Sequence, residues 1–311
     1  MARYLVTGGA GFIGSNLAEA LVNRGEDVVV LDNLSTGYER NIAGIKKDIR
    51  FMNADIRDAA AVREAVEGVD YVFHEAALAS VPRSIEDPAL VTDVNVRGTL
   101  VLLEEARRAG VKRFVYAASS SAYGDAETLP KTERMQPKPL SPYAASKLTG
   151  EYYCAVYAHV YQLSTLSLRY FNIFGPRQDP KSQYAAVIPI FVSSLLAGRQ
   201  PTIFGDGEQS RDFTYIDNVI DANIRAASCE NARGQTVNIA CGTRYTLNEV
   251  FTRMREMIGR SIEPRYASRR AGDVKDSQAD ISAARELIGY SVTVPFEEGL
   301  RRTIEWYGRG A

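Results

Sequence analysis

Three glycines constrain this chain more than any other feature. Gly8, Gly11 and Gly14 are spaced G-x-x-G-x-x-G, directly after the apolar run Tyr4-Leu5-Val6 and at the start of an amphipathic stretch over 13–23. A side chain at either of the first two would collide with a tight turn or with a pyrophosphate lying on it. The third lets a helix pack closely on the preceding strand. That helix offers free N–H groups and the positive end of its dipole to phosphate oxygens. Glycine-rich turns are common, but this one stands between a strand and a helix, and it predicts a dinucleotide site. The same glycines interrupt the apolar N-terminus too early for a secretory signal.

The rest of the first half repeats the pattern. Short apolar runs at 28–31, 49–52, 71–73, 113–117 and 164–170 read as strands. Amphipathic stretches at 59–66, 92–109 and 143–159 read as helices. In the 92–109 helix, Val96, Leu100 and Leu103 share one face and Gly110 is the C-cap. Strands that are apolar throughout, joined by helices, predict a doubly wound parallel sheet covered on both faces, an α/β fold. Past Phe171 the rhythm loosens into a loop at 175–180, a helix at 187–197 and a glycine turn at 205–207. A strand at 236–240 can return to the first sheet. We read 1–171 as the dinucleotide domain and 172–311 mainly as a smaller mixed α/β lobe that binds substrate.

Composition narrows the function. Of 311 residues, 45% are hydrophobic and 24% charged, with a net charge of −1, which is ordinary for a soluble globular protein and gives no nucleic-acid surface. Cys154, Cys229 and Cys241 are far apart, so reduced thiols in a cytoplasmic protein are the reading, rather than disulfides or a zinc site. With only His74 and His159 as histidines, no metal site is expected. No apolar run approaches the roughly 18 residues of a membrane span.

Asp32 closes the second strand. A carboxylate there accepts both ribose hydroxyls and repels a 2′-phosphate, which favours NAD over NADP; Asp32-Asn33 also suits a plain turn. Asp55-Ile56 can hold adenine by a carboxylate and an apolar wall, or Asp55 can be a helix N-cap. Tyr143 and Lys147 lie four apart on one helical face. A fixed ammonium, together with an oxidised nicotinamide, favours the phenolate, which can take a proton from a hydroxyl as hydride leaves the same carbon. The spacing alone proves little; the run Ser119-Ser120-Ser121 at a strand's C-terminal end strengthens it, since such ends carry the chemistry in doubly wound sheets.

Together these residues resemble the extended short-chain dehydrogenase/reductase family and, within it, the nucleotide-sugar 4-epimerases built on a Rossmann sheet. The motifs are Thr7 to Gly14, Asp32 to Gly37, Ser119 to Gly124, Tyr143 to Lys147, Arg169 to Asn172 and Gly207 to Asp217, and the likeness covers essentially the whole chain. The resemblance implies catalysis by Tyr143, Lys147 and Ser119. It implies NAD contacts at Gly8, Gly11, Phe12, Ile13, Gly14, Asp32, Asn33, Ser35, Thr36, Gly37, Asp55, Ile56, Ala76, Ala77, Asn95 and Tyr170, with Tyr143 and Lys147. It implies UDP-sugar contacts at Ser80, Ser119, Ser120, Ser121, Tyr143, Asn172, Gln178, Ala186, Val187, Arg211, Arg270 and Ser277. The small Ser277 leaves room for an N-acetyl group, so activity on plain and N-acetylated UDP-hexoses is expected. A homodimer through paired helices, one of them bearing Tyr143, is expected too. Glu75, in His74-Glu75-Ala76-Ala77, is unusual for its location, and a structural hydrogen bond suits it better than catalysis.

The implied reaction is inversion at carbon 4 through a transient 4-keto sugar, with NAD regenerated in place. Two rivals stand beside it. A 4,6-dehydratase or decarboxylase on the same scaffold would carry acidic residues just after the catalytic hydroxyl, where this chain has Ser120, Ser121 and Ala122. An NAD-binding regulator would keep the glycines and lose the tyrosine–lysine pair.

Overall fold

A computed structural model describes residues 1–180, 186–269 and 274–310. The first half contains β1 (Arg3–Thr7), α1 (Phe12–Asn23), β2 (Asp27–Leu31), β3 (Ile49–Met52), α2 (Ala59–Ala65) and β4 (Tyr71–His74). It continues with α3 (Val81–Glu86), α4 (Pro88–Thr92), α5 (Gly98–Arg108), β5 (Arg113–Ser119), α6 (Pro142–Tyr161) and β6 (Thr165–Tyr170). The second half adds β7 (Ile173–Phe174), α7 (Val187–Leu196), β8 (Thr202–Phe204), β9 (Ser210–Arg211), β10 (Thr214–Tyr215), α8 (Ile216–Ser228) and β11 (Gln235–Ile239) before its C-terminal helices.

The central sheet has seven parallel strands in the order β11-β6-β5-β4-β1-β2-β3. Alternation along each strand feeds two cores. Val6, Val28, Val30 and Phe73 face α1, α7 and α8; Leu5, Val29, Val72 and Phe114 face α2, α5 and α6. The strand order reverses between β1 and β4. In such sheets a crevice opens at the carboxyl ends of the strands at that reversal. The β1 end leads into the glycine turn and the β4 end into Glu75-Ala76-Ala77.

The expected helix over 92–109 is different in detail. The helical path starts at Pro88, capped by the Asp87 carboxylate, and runs through a π-helical turn at Asp93–Arg97 into α5. Its buried stripe is Asn95, Thr99, Leu102, Leu103 and Ala106, while Val96 and Leu100 are only partly buried. The stripe begins with two polar residues, so apolar spacing alone marks a face about one residue out of phase. Gly110, at φ +71°, ends the helix in the left-handed conformation as anticipated.

Candidate active site

The glycine turn is shaped by what a Cβ would strike. Gly8 has φ +68°, and a Cβ there would lie 2.7 Å from the Ala76 nitrogen; one on Gly14 would overlap the Gly8 carbonyl. α1 begins at Phe12 without a side-chain cap, so its first N–H groups face a crevice. Gly8, Gly11, Phe12, Ile13, Gly14, Asp32, Asn33, Ser35, Thr36, Asp55, Ile56, Ala76 and Ala77 all line that crevice. A cradle that a Cβ would fill, with a carboxylate at its far end, fits a dinucleotide with an unphosphorylated ribose.

Asp32 combines both readings offered for it. Its Oδ2 accepts from the Ala10 N–H at 2.9 Å and its Oδ1 from the Leu34 N–H at 2.7 Å, so it pins the turn while facing the crevice. Asp55 lines the crevice and is held there by the protein. Arg57 grips it through Nε and Nη2 at 2.8 and 2.7 Å, and Asn33 donates to it at 2.9 Å. The Arg57 guanidinium holds its carboxyl down at about 2. It is not the cap of α2; Asp58 is. Two residues expected at the cofactor also make contacts within the protein. Gly37 allows close packing on Ala10, where a Cβ would lie 2.8 Å from the carbonyl carbon. Asn95 is buried, accepting from the Leu78 N–H at 2.8 Å and donating to Ser146 Oγ at 3.0 Å, which ties the loop after β4 to α6.

α6 forms where Ser141 caps the Ala144 N–H and Pro142 occupies the first turn. It places Tyr143 and Lys147 one turn apart, beside the end of β5. Burial raises the Tyr143 hydroxyl above its ordinary value, opposed by a hydrogen bond with Ser119. Burial also lowers the Lys147 ammonium to about 8, opposed by the Glu75 and Glu151 carboxylates. Lys147 Nζ sits 4.8 Å from the Tyr116 ring centroid. Within the protein the hydrogen-bond partner of the Tyr143 phenol is Ser119, while the Glu75 and Glu151 carboxylates favour the charged form of Lys147. Ser119 Oγ also accepts from Ser121 Oγ at 2.9 Å. His74 is structural, bonded to Thr7 and Thr99 at 2.8 Å each, and burial holds it neutral by lowering it to about 3.

Two further cavities adjoin each other. An inner one is lined by Ser119, Ser120, Ser121, Lys131, Tyr170, Asn172, Arg211 and Ser277, together with Val81, Tyr123, Gly124, Phe171 and Val274. None of these carries a carboxyl group. An outer, more apolar one is lined by Ala186, Val187, Phe191, Phe204, Phe213 and Leu247, among others. Asn172 and Arg211 line both. Asn172 adopts φ +36°, an uncommon conformation held by donation from Nδ2 to Asp212 O at 3.0 Å and to Ser277 Oγ at 3.1 Å. Arg211 Nη1 donates to the Ser210 and Lys275 carbonyls. Ser80 caps α3, between Ala79 on the crevice and Val81 on the inner cavity.

Gln178 departs from expectation: its side chain turns inward, donating to the Ile173 carbonyl at 3.1 Å. Arg270 lies outside the described residues. The sequence did not single out Lys131, Phe204, Gln209 or Leu247 as lining residues. They come from two loops, a short strand and the start of a helix, with no motif to mark them. Among the described residues, no group of three or more His, Cys, Asp or Glu side chains is placed to hold a metal ion, and no helix is long and apolar enough to cross a membrane.

Residues 4–240 match the NAD dependent epimerase/dehydratase family. A UDP-glucose 4-epimerase of Mycolicibacterium smegmatis is 40% identical over 309 residues, covering 98% of each chain. The UDP-N-acetylglucosamine 4-epimerase from Methanobrevibacter ruminantium M1, solved with UDP-N-acetylmuramic acid, superposes with a TM-score of 0.95 at 38% identity, over 100% of this chain and 99% of that one. The UDP-glucose 4-epimerase of Thermus thermophilus, solved with NAD, superposes with a TM-score of 0.90 at 39% identity, covering 99% of each.

Proposed function

Because the chain belongs to the NAD dependent epimerase/dehydratase family, we propose that it inverts carbon 4 of UDP-hexoses, galactose and glucose and their N-acetylamino forms. NAD, in the crevice, supplies the acceptor and later the donor of the hydride at carbon 4. Tyr143 takes the proton of the 4-hydroxyl, and Ser119 shares it through the bond between them. Lys147, buried between the catalytic helix and the sheet, carries the positive charge that holds the site's electrostatics. Asn172 and Arg211 span both cavities and bind the diphosphate and uridine, Arg211 through a guanidinium suited to phosphate oxygens. With the nucleotide anchored, the 4-keto sugar turns about its anomeric oxygen–phosphorus linkage. Tyr143 then returns the proton on the opposite configuration.

The observation that carries this reading is the lining of the inner cavity: hydroxyls, an amide and two cations, with no carboxylate among the described residues to remove a proton from carbon 5. That composition favours epimerisation over dehydration. The decisive experiment incubates the purified protein with UDP-galactose and with UDP-N-acetylgalactosamine, without added reductant. The glucose isomers are expected; one equivalent of NADH per substrate would overturn the cycle.

Residues 1–171, with the 236–240 strand, form the NAD domain in this reading, and 172–311 supply most of the UDP-sugar lobe. The protein acts as a cytoplasmic homodimer. Tyr152, Val156 and Val160 make an exposed apolar stripe on α6, beside the partly exposed Val96 of the π-helical turn and Leu100 of α5. A second copy of the same surface buries such a stripe in a two-fold interface.

A further inference from the structure

Glu75 stands at the wall between the crevice and the inner cavity. It lines the crevice, and its Oε1 accepts a hydrogen bond from Tyr170 Oη at 2.8 Å; Tyr170 lines the inner cavity. Asn223 Nδ2 donates to the same Tyr170 oxygen at 2.8 Å and to the Val219 carbonyl at 2.9 Å; its Oδ1 is a second, longer acceptor for the phenol at 3.2 Å, so the shorter hydrogen bond of Tyr170 goes to Glu75. Tyr170 is the sheet neighbour of Ser119. The other oxygen, Oε2, is sealed from solvent and has no hydrogen-bond partner among the described residues. A buried carboxylate oxygen without a donor is costly and calls for an explanation.

The crevice has a direction. Asp32 and Ile56 mark the adenosine end; Glu75, with Tyr170 and Ser119 behind it, marks the end next to the sugar. The redox ring of the dinucleotide must reach that second end to exchange hydride with a sugar beside Ser119. Resting on the NAD-dependent reading above, we propose that Glu75 is the counter-charge of the nicotinamide: fixed at the crevice wall by Tyr170, its carboxylate favours the oxidised, cationic ring over the reduced, neutral one.

The electrostatics agree. Burial raises the Glu75 carboxyl to about 7, against the Tyr170 hydrogen bond and the Lys147 ammonium, which favour the charged form. A cationic ring alongside adds to that favour. The consequence is functional. Hydride from carbon 4 reduces the bound cofactor by two electrons while the hydroxyl proton goes to Tyr143. A counter-charge that favours the oxidised ring drives the hydride back to the keto sugar and so limits release of the intermediate.

The test is a redox titration of the cofactor-loaded protein against a dye couple, reading bound NADH by its near-ultraviolet absorbance, with total bound cofactor determined after denaturation. Glu75→Gln keeps the shape and an acceptor oxygen but removes the charge. At the dye poise where the parent is half reduced, it is expected to raise the bound NADH:NAD ratio by about tenfold, a shift of about 30 mV for a two-electron couple. Tyr170→Phe removes the donor that keeps Glu75 charged, and should move the ratio in the same direction, which covers the case where the Gln variant does not fold. Unchanged ratios at full cofactor content would overturn the role of Glu75 alone. A parent protein that takes up no NAD would overturn the underlying reading, and this role with it.

Discussion

Arg169 on β6 and Glu151 on α6 form a buried two-pronged ion pair, Nε to Oε1 at 2.9 Å and Nη2 to Oε2 at 2.6 Å, with side chains only 5% and 3% exposed. The pair fastens the catalytic helix to the strand whose end carries Tyr170. Arg169 also stacks over Tyr123, 4.7 Å from its ring centroid. Removing the carboxylate strands a guanidinium in the core. Glu151→Ala is therefore expected to lose about 3–5 kcal/mol of stability by denaturant titration. A loss within about 0.5 kcal/mol, the range of an ordinary surface substitution, would show that the pair does not hold the helix.

Tyr143 is the proton carrier in the proposed cycle. Tyr143→Phe should lower kcat by roughly 10²–10⁴-fold, the usual contribution of a positioned acid–base group, while bound NAD stays at the parental level. Steady-state assays with cofactor quantification check both halves. Near-parental turnover would remove Tyr143 from the mechanism.

Lys147 gives the reaction an alkaline limit. Its ammonium titrates at about 8 rather than near 10.5, because burial disfavours the charge. Activity that needs the charged form should fall as pH rises through about 8, and Lys147→Met should abolish that limb along with most activity. The stability sign runs the other way. Between about pH 8 and 10.5 the unfolded chain holds a proton that the folded chain has lost, so this group's contribution to folding becomes more favourable as pH rises. The stability advantage of Lys147→Met over the parent should accordingly shrink across that window; an advantage that grows would contradict the assignment.

In the proposed reading, Ser277 sets the room beside the sugar. It is 9% exposed and lines the inner cavity, where Asn172 donates to it. Ser277→Tyr should depress kcat/KM for N-acetylated UDP-hexoses by about 10²-fold, the effect of displacing reacting atoms by an ångström, and spare the plain hexoses. Parallel assays of the two substrate classes decide it, and equal losses would argue against a role in sugar selection.

The apolar stripe on α6 predicts an assembly state. Val156→Arg places a charge at its centre, between Tyr152 and Val160. Light scattering after size-exclusion chromatography should find the parent as a dimer and the variant shifted to monomer. A monomeric parent at micromolar concentration would refute the interface.

Much of the fold was legible because its causes are short-range. A Cβ clash of Gly14 with Gly8, the Ser141–Pro142 start of α6 and the one-turn spacing of Tyr143 and Lys147 all depend on neighbours along the chain. Apolar runs announced the sheet, whose strands are buried on both faces. The stripe of α5 was misplaced because its leading residues, Asn95 and Thr99, are polar and buried through hydrogen bonds that no periodicity reveals.

What the residues determined alone was which backbone shapes were accessible and which groups were available for chemistry. Partner choice was decided by tertiary structure. Arg57 closes on Asp55; Gln178 donates to the Ile173 carbonyl; and Glu75 meets Tyr170 from 95 positions away. A hydrogen bond's worth and a group's proton affinity depend on how completely water is excluded around it. Exclusion is a property of the packed layers, and no stretch of sequence contains it.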